Sequence, residues 1–407
     1  MKQAQRAARR AANRLARAAA LLLLLLLGTA GVALAAPRVP ASDDEVVEKL
    51  PVIAGWLDAQ RKLRRELAQR PGDEATAIEA ATTYLDLARS QGDARYAGQA
   101  VAALQAWEAT PIAQTPPAVL VMRATVAQFL HDFDGAETLL KAALARRPAD
   151  PQGWITLATV LRVRGRYDQS DAACRALGRV GPALYGVACL AENAGLRGNH
   201  VAARDALRGL LADPALAGAP QAGTRQWLWT SIAEIEELAG RPAEADAAYR
   251  KALAAERSGY LLLAYSDFLQ RAGRSREIPS LLAKEARSDA VLLRLAIAHT
   301  QAGKPQAPRA VVPEAEELRE RFEAAALRPG TTAQHAREEA MFALDVQGDA
   351  KRAVELARLN VRLQREPIDL LVFARSASAA GDEAARDEAK ALMREIGLKD
   401  ARVDAIR

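Results

Sequence analysis

Between Pro117 and Leu184 the chain runs twice, in one register, through a single 34-residue pattern. The first pass carries Leu120, Ala124, Ala136, Leu140, Ala143 and Pro148. The second places Trp154, Ala158, Ser170, Cys174, Leu177 and Pro182 at the same offsets. This period, with a small residue early in each of two helices and a closing proline, specifies stacked helical hairpins. A lone hairpin cannot bury its apolar stripe, so neighbours must stack to make a continuous core. Composition agrees: 50% of residues are hydrophobic but only 4% are aromatic, and Ala and Leu dominate. That balance favours helices packed through small side chains over a sheet, and the expected fold is all-α.

The residues of 117–184 resemble the tetratricopeptide (TPR) repeat family. The resemblance implies a TPR-like α-solenoid of about eight helix–turn–helix repeats wound into a right-handed superhelix. It also implies a concave face, lined by the first helix of each repeat, that binds other molecules. One sub-class of the family clamps chaperone C-terminal carboxylates with Lys, Asn and Arg on first helices. The matching positions here hold Ala118, Val121, Met122, Thr125, Gln152, Ile155, Thr156 and Thr159, so that chemistry is excluded.

The pattern continues more loosely on both sides. A helix is expected over Trp56–Gln69, and a degenerate repeat over 78–111 keeps Tyr84, Leu85, Ala88, Gly92, Ala97, Val101 and Leu104 in place. Further repeats start at Leu184, Gln226 and Gly259. The Pro-, Gly- and Ala-rich stretch Pro214–Gly223 shifts the register and suggests a bend near 212–224. It would separate an N-terminal array, 56–212, from a C-terminal array, 225–407. Beyond it, a first helix over Asp289–Ala302 is parted from its partner by the insertion Lys304–Pro313. Two more hairpins divide near Gly348 and Gly381. The charged helix Asp382–Ile396 is expected to cap an open end of the array.

Residues 1–35 read as an export signal. Lys2, Arg6, Arg9, Arg10, Arg14 and Arg17 precede seven consecutive leucines, Leu21–Leu27, and Ala33-Leu34-Ala35 offers a cleavage site. Residues 36–55 form a flexible lead-in. The expected location is the bacterial periplasm. The alternative is an inner-membrane anchor facing the periplasm, with the uncleaved signal as the sole membrane contact. The net charge of +6 resides entirely in the signal. Without its six basic residues, 50 basic side chains balance 50 acidic ones, which argues against nucleic-acid binding.

Nothing in the sequence points to catalysis. His131, His200, His299 and His335 have no second ligand at metal spacing, and His299 falls where a helix usually meets its partner. No phosphate loop, dinucleotide fingerprint or nucleophile elbow is present. No metal, cofactor or enzymatic activity is expected. Cys174 and Cys189 lie at equal distances from the turn at Gly181-Pro182, on antiparallel helices, which sets them opposite each other. In an oxidising compartment they form a candidate disulfide; as two small thiols they would suit a helix seam equally.

First-helix positions supply the candidate binding surface. Gln128, Ile155, Thr159 and Arg162 come from the two clear repeats. The next three repeats each place an aromatic second and an acid ninth: Tyr185 and Glu192, Trp227 and Glu234, Tyr260 and Asp267. Rigid aromatics make good contact surfaces, and the acids suit a basic or polyhydroxylated ligand. The expected function is a non-catalytic scaffold that binds a protein or peptide partner in the bacterial envelope. The alternative is a polysaccharide-handling protein of an envelope export system.

Overall fold

The computed structural model describes residue 42 and residues 56–93, 95–302, 312–327 and 331–406. The signal segment 1–35, the lead-in 36–55 apart from Ser42, and most of the 304–313 insertion lie outside the described residues. The chain divides into two compact units, Met1–Gln60 and Arg61–Arg407. Of the first, only Ser42 and the opening turn of one helix are described.

Every described element longer than a turn is helical. The helices are α1 (Trp56–Gln69), α2 (Glu74–Gln91), α3 (Arg95–Ala103), α4 (Pro117–Phe129), α5 (Phe133–Arg146), α6 (Pro151–Val163) and α7 (Tyr167–Val180). They continue with α8 (Ala183–Leu196), α9 (His200–Leu211), α10 (Ala222–Leu238), α11 (Pro242–Ala255), α12 (Gly259–Arg271), α13 (Ile278–Leu282) and α14 (Asp289–Ala302). The remainder are α15 (Pro313–Ala326), α16 (Thr331–Phe342), α17 (Ala350–Leu363), α18 (Pro367–Ala380), α19 (Glu383–Ile396) and α20 (Ala401–Asp404). From α2 to α19 they pair into nine consecutive hairpins among the described residues, against about eight expected.

Local chemistry sets the boundaries. The carboxylates of Asp73, Asp132, Asp150, Asp349 and Asp382 accept hydrogen bonds from backbone N–H groups in the first turns of their helices. Each satisfies a donor that has no partner inside the helix. Pro117, Pro151, Pro242, Pro313 and Pro367 each occupy the first helical position, where a missing N–H costs nothing. Pro279 explains the one stunted second helix. It is tolerated only in the first turn of an α-helix, so residues 275–277 stay 3₁₀ and α13 begins only at Ile278. Ala136, Ala158, Ala203 and Ala245 are buried in the seams, where a larger side chain would force the helices apart.

Stacking carries across the Pro214–Gly223 stretch, where α8 and α9 both pack on α10. Among the tightest contacts is α7 against α8, where a Cβ added at Gly186 would lie 2.6 Å from Gly178 Cα. The same pair is joined by a disulfide between Cys174 and Cys189, whose Cα atoms are 5.6 Å apart. Beside it the fully buried Asn193 donates to Ser170 Oγ and Asp171 Oδ1, both at 2.9 Å.

The last part of the chain returns to the turns that link the helices of earlier hairpins. Arg365 N–H donates to Val163 O at 2.7 Å, and Lys399 N–H donates to Leu196 O at 2.9 Å. Gln334 Nε2 donates to Leu130 O, and Tyr167 of α7 is buried within the apolar cluster of the last hairpins. The end of α19 and the segment leading into α20 thus meet the turns of earlier repeats, while Glu383, Asp387, Lys390 and Arg394 on the outer face of α19 are exposed. Gly165 marks the closest approach. Its φ of +73° is the left-handed conformation that ends a first helix, and an added Cβ would meet Ile396 Cγ2 at 2.7 Å.

Gly273 has a φ of +70° with nothing within 4 Å of an added Cβ. Gly273→Ala should cost about 1 kcal/mol, from backbone strain alone. Gly165→Ala should cost about 1–3 kcal/mol more, because it also pushes against Ile396; urea denaturation of the two variants measures the difference. The disulfide closes a sequence separation of 15. Intact-mass measurement of non-reduced protein should show no free thiol, and reduction should lower stability by about 3 kcal/mol.

Candidate functional site

Seven first helices, α6, α8, α10, α12, α14, α16 and α18, converge on one cavity of about 490 Å³, with α20 adding Arg402. Its floor and flanks are apolar, from Leu196, Ile235, Leu238, Leu263, Pro367 and Ile368. Onto this background project five guanidinium groups (Arg162, Arg271, Arg294, Arg337, Arg402) and six carboxylates (Glu192, Glu234, Glu237, Asp267, Glu338, Glu366).

Six of the seven residues picked out by first-helix spacing line this cavity: Arg162, Glu192, Trp227, Glu234, Tyr260 and Asp267. Tyr185 does not. Its ring stacks on Trp227 from outside the wall, with centroids 6.0 Å apart and planes at 25°. The alternation of aromatic and acid is a ladder between repeats. Glu192 of α8 accepts from Trp227 Nε1 at 2.9 Å and Ser231 Oγ at 2.7 Å on α10. One repeat on, Glu234 accepts from the Tyr260 hydroxyl of α12. At the third step Asp267 is buried, and Arg294 of α14 grips it with two hydrogen bonds of 2.9 and 2.7 Å. Arg162 reaches forward to Glu192 in the same manner. Acids expected to meet a ligand thus first tie each repeat to the next.

The cations are all committed. Besides Arg162 and Arg294, Arg271 and Arg402 both reach Glu237. Arg402 also grips Asp400, and Arg337 bonds Glu366 and Asp369. Burial works against a charge on Glu237, yet Arg271, Arg402 and the Tyr249 hydroxyl outweigh it and hold the carboxyl below its usual range.

Two carboxylates make no ion pair among the described residues, although the charge of Glu338 acts on nearby Arg294 and Arg337. Glu234 has only the Tyr260 hydroxyl, and burial together with the nearby charges of Glu192, Glu237 and Glu366 pushes it up to about 7. Glu338 makes no hydrogen bond or ion pair among the described residues. Tyr167 adds a further open group. The residue is 3% exposed and lines the cavity, yet its hydroxyl has no partner among the described residues. Tyr260 stands at the rim, 64% exposed.

Tyr167, Arg271, Arg294, Arg337, Glu338, Glu366 and Arg402 were not expected from the sequence. Tyr167 starts a second helix, and the others belong to positions outside the second-and-ninth pattern. His299 is also differently placed: it is exposed, with Nδ1 3.1 Å from Glu314 Oε2, and is not packed in a helix seam. Among the described residues no group of three or more His, Cys, Asp or Glu side chains is arranged to hold a metal ion.

Stacked hairpins whose first helices share an inner face define this chain as a TPR-like α-solenoid. No protein-family model matches its sequence, and no curated protein is similar to it in sequence. Solved structures offer distant likenesses. One is a tetratricopeptide repeat protein from Parabacteroides merdae, 14% identical over 63% of this chain and 97% of that one, at a TM-score of 0.35. A second is Naa15/Naa10 bound to HypK-THB, 13% identical over 86% of this chain and 60% of that one, at 0.31. A third is yeast Tom70, 10% identical over 81% and 87%, at 0.25. Scores this low carry no argument, and the architecture stands on the hairpins themselves.

Glu234 gives the site a pH signature. Its folded-state pKa, about 7, exceeds its ordinary value of 4.5, so the folded chain holds the proton more tightly. Stability should fall as pH rises through this window and level off above it. Glu234→Gln should relieve a cost of about 2–3 kcal/mol above pH 7 and nothing below pH 4.5. Comparing denaturation of variant and parent across pH reports Glu234 together with its coupling to Glu192, Glu237 and Glu366.

Proposed function

We propose that this protein is a non-catalytic scaffold of the bacterial envelope that captures a segment of a protein or peptide partner at the inner face of its first helices. The observation that carries the reading is the single cavity on which seven first helices converge, bordered by the exposed Tyr260 ring. A volume of about 490 Å³ is in the range of sites that hold small ligands. It admits a side chain or chain terminus and excludes a folded domain. The partner would lie across the rim and insert one group. Export through residues 1–35 places the scaffold in the periplasm in this reading, soluble after cleavage or tethered if the signal is retained.

A polyhydroxylated ligand, such as an exported polysaccharide, is the second reading. It is favoured by an exposed tyrosine ring beside an acid with spare acceptor capacity, Glu234. Cross-linking in intact cells separates the two: recurrent links to one envelope protein support the first, and glycan-dependent change in Trp227 fluorescence supports the second.

Tyr260 gives a direct test of the rim. Its ring is mostly exposed and its one side-chain hydrogen bond goes to Glu234. Tyr260→Ala should therefore leave far-ultraviolet circular dichroism unchanged while weakening partner capture by about tenfold, the scale of a lost aromatic contact in an interface. Capture equal to that of the parent would remove the rim from the binding surface.

A further inference from the structure

Resting on the capture reading above, we propose that the group inserted into the cavity is an alkylammonium, the side chain of a lysine on the captured segment. Three features of the wall point to it. First, charge is unbalanced: six carboxylates face five guanidiniums, and every guanidinium is already bonded to a carboxylate. An incoming anion would find no free cation, and it would face Glu234 and Glu338. A cation would find both. Second, Tyr167 lines the cavity, and among the described residues its buried hydroxyl has no hydrogen-bond partner. A buried polar group left unmade costs about 1–3 kcal/mol, so the arrangement is poised for a ligand that completes it. An ammonium, with three donors and no acceptor, matches a phenol oxygen and carboxylates acting as acceptors. Third, the approach is apolar. Leu196, Leu263 and Ile368 offer a wall against which four methylenes can lie while the charged head reaches the polar groups. Burial without a counter-cation, which raises the Glu234 pKa, is relieved by the same ligand.

The test titrates the full-length protein with capped Gly-X-Gly tripeptides in which X is lysine, norleucine or glutamate, followed by Trp227 fluorescence and calorimetry. A parallel titration uses 1,5-diaminopentane. The lysine peptide should bind at least about tenfold more tightly than its norleucine isostere, the scale of one hydrogen bond to a charged group, and the glutamate peptide should not bind. Diaminopentane binding as tightly as the lysine peptide would identify a free diamine as an equal source of the same group. Weaker binding would assign it to the peptide. Glu338→Gln removes a charge that makes no hydrogen bond or ion pair among the described residues but lies near Arg294 and Arg337; far-ultraviolet circular dichroism should be unchanged and lysine affinity should fall about tenfold. Tyr167→Phe should lower it several-fold and leave norleucine binding unchanged. Equal affinity for lysine and norleucine peptides, or undiminished lysine binding by Glu338→Gln, would overturn the ammonium assignment while peptide capture stands. Absence of binding by all three peptides, with no cross-linked partner, would remove the capture reading itself.

Discussion

Backbone hydrogen bonds from Arg365 to Val163 and from Lys399 to Leu196 hold the final hairpins against the turns of hairpins three and four. The return contacts bring Arg337, Glu338, Glu366 and Arg402 to the same cavity as the first helices of hairpins three to five. The glycines at these turns make the approach possible. Gly165 is needed for its left-handed backbone and again for its missing side chain, because Ile396 occupies the space. The inner site is thus a product of the return contact as much as of the repeats.

That dependence explains which parts of the molecule were legible in the sequence. Helix boundaries were, because caps, first-position prolines and left-handed glycines act over four or five residues. The inner face was also legible: six of the seven spacing-selected residues meet in one cavity, since a fixed period carries each first-helix position to the same side. Tyr185 is the exception: it stacks on Trp227 and is not among the residues that line the cavity. The guanidiniums opposite were out of reach. No periodic rule connects Asp267 with Arg294 or Glu237 with Arg402, and the second pair exists only because the chain folds back on itself.

The electrostatics of the interior argue that stability is not their whole purpose. Removing a guanidinium and a carboxylate from water costs several kcal/mol per ion, and pairing them often does no better than well-packed apolar side chains. A solenoid with so much Ala and Leu could have filled this space with more of the same. Instead the lining alternates bonded cations and acids, leaving Glu338 and the Tyr167 hydroxyl open. The ladder from Glu192 to Trp227 and from Glu234 to Tyr260 fixes the rotamers of the aromatics, so that a ligand would meet a wall already ordered.

An open repeat array is close to one-dimensional: each unit feels only its neighbours, and unfolding can begin at either end. Here Gly165, Gly198 and Gly240 rest against Ile396, Lys399 and Ala401, so late units of the array stabilise units far earlier in the sequence. Terminal fraying is suppressed, and opening of the α19–α20 segment must disturb the middle of the array. The contact also lengthens the loops that must close before the native state is complete, which slows folding relative to a free-ended solenoid of the same repeats. Amide exchange in α19 and α20 is then governed by sub-global opening and not by local release of a chain end.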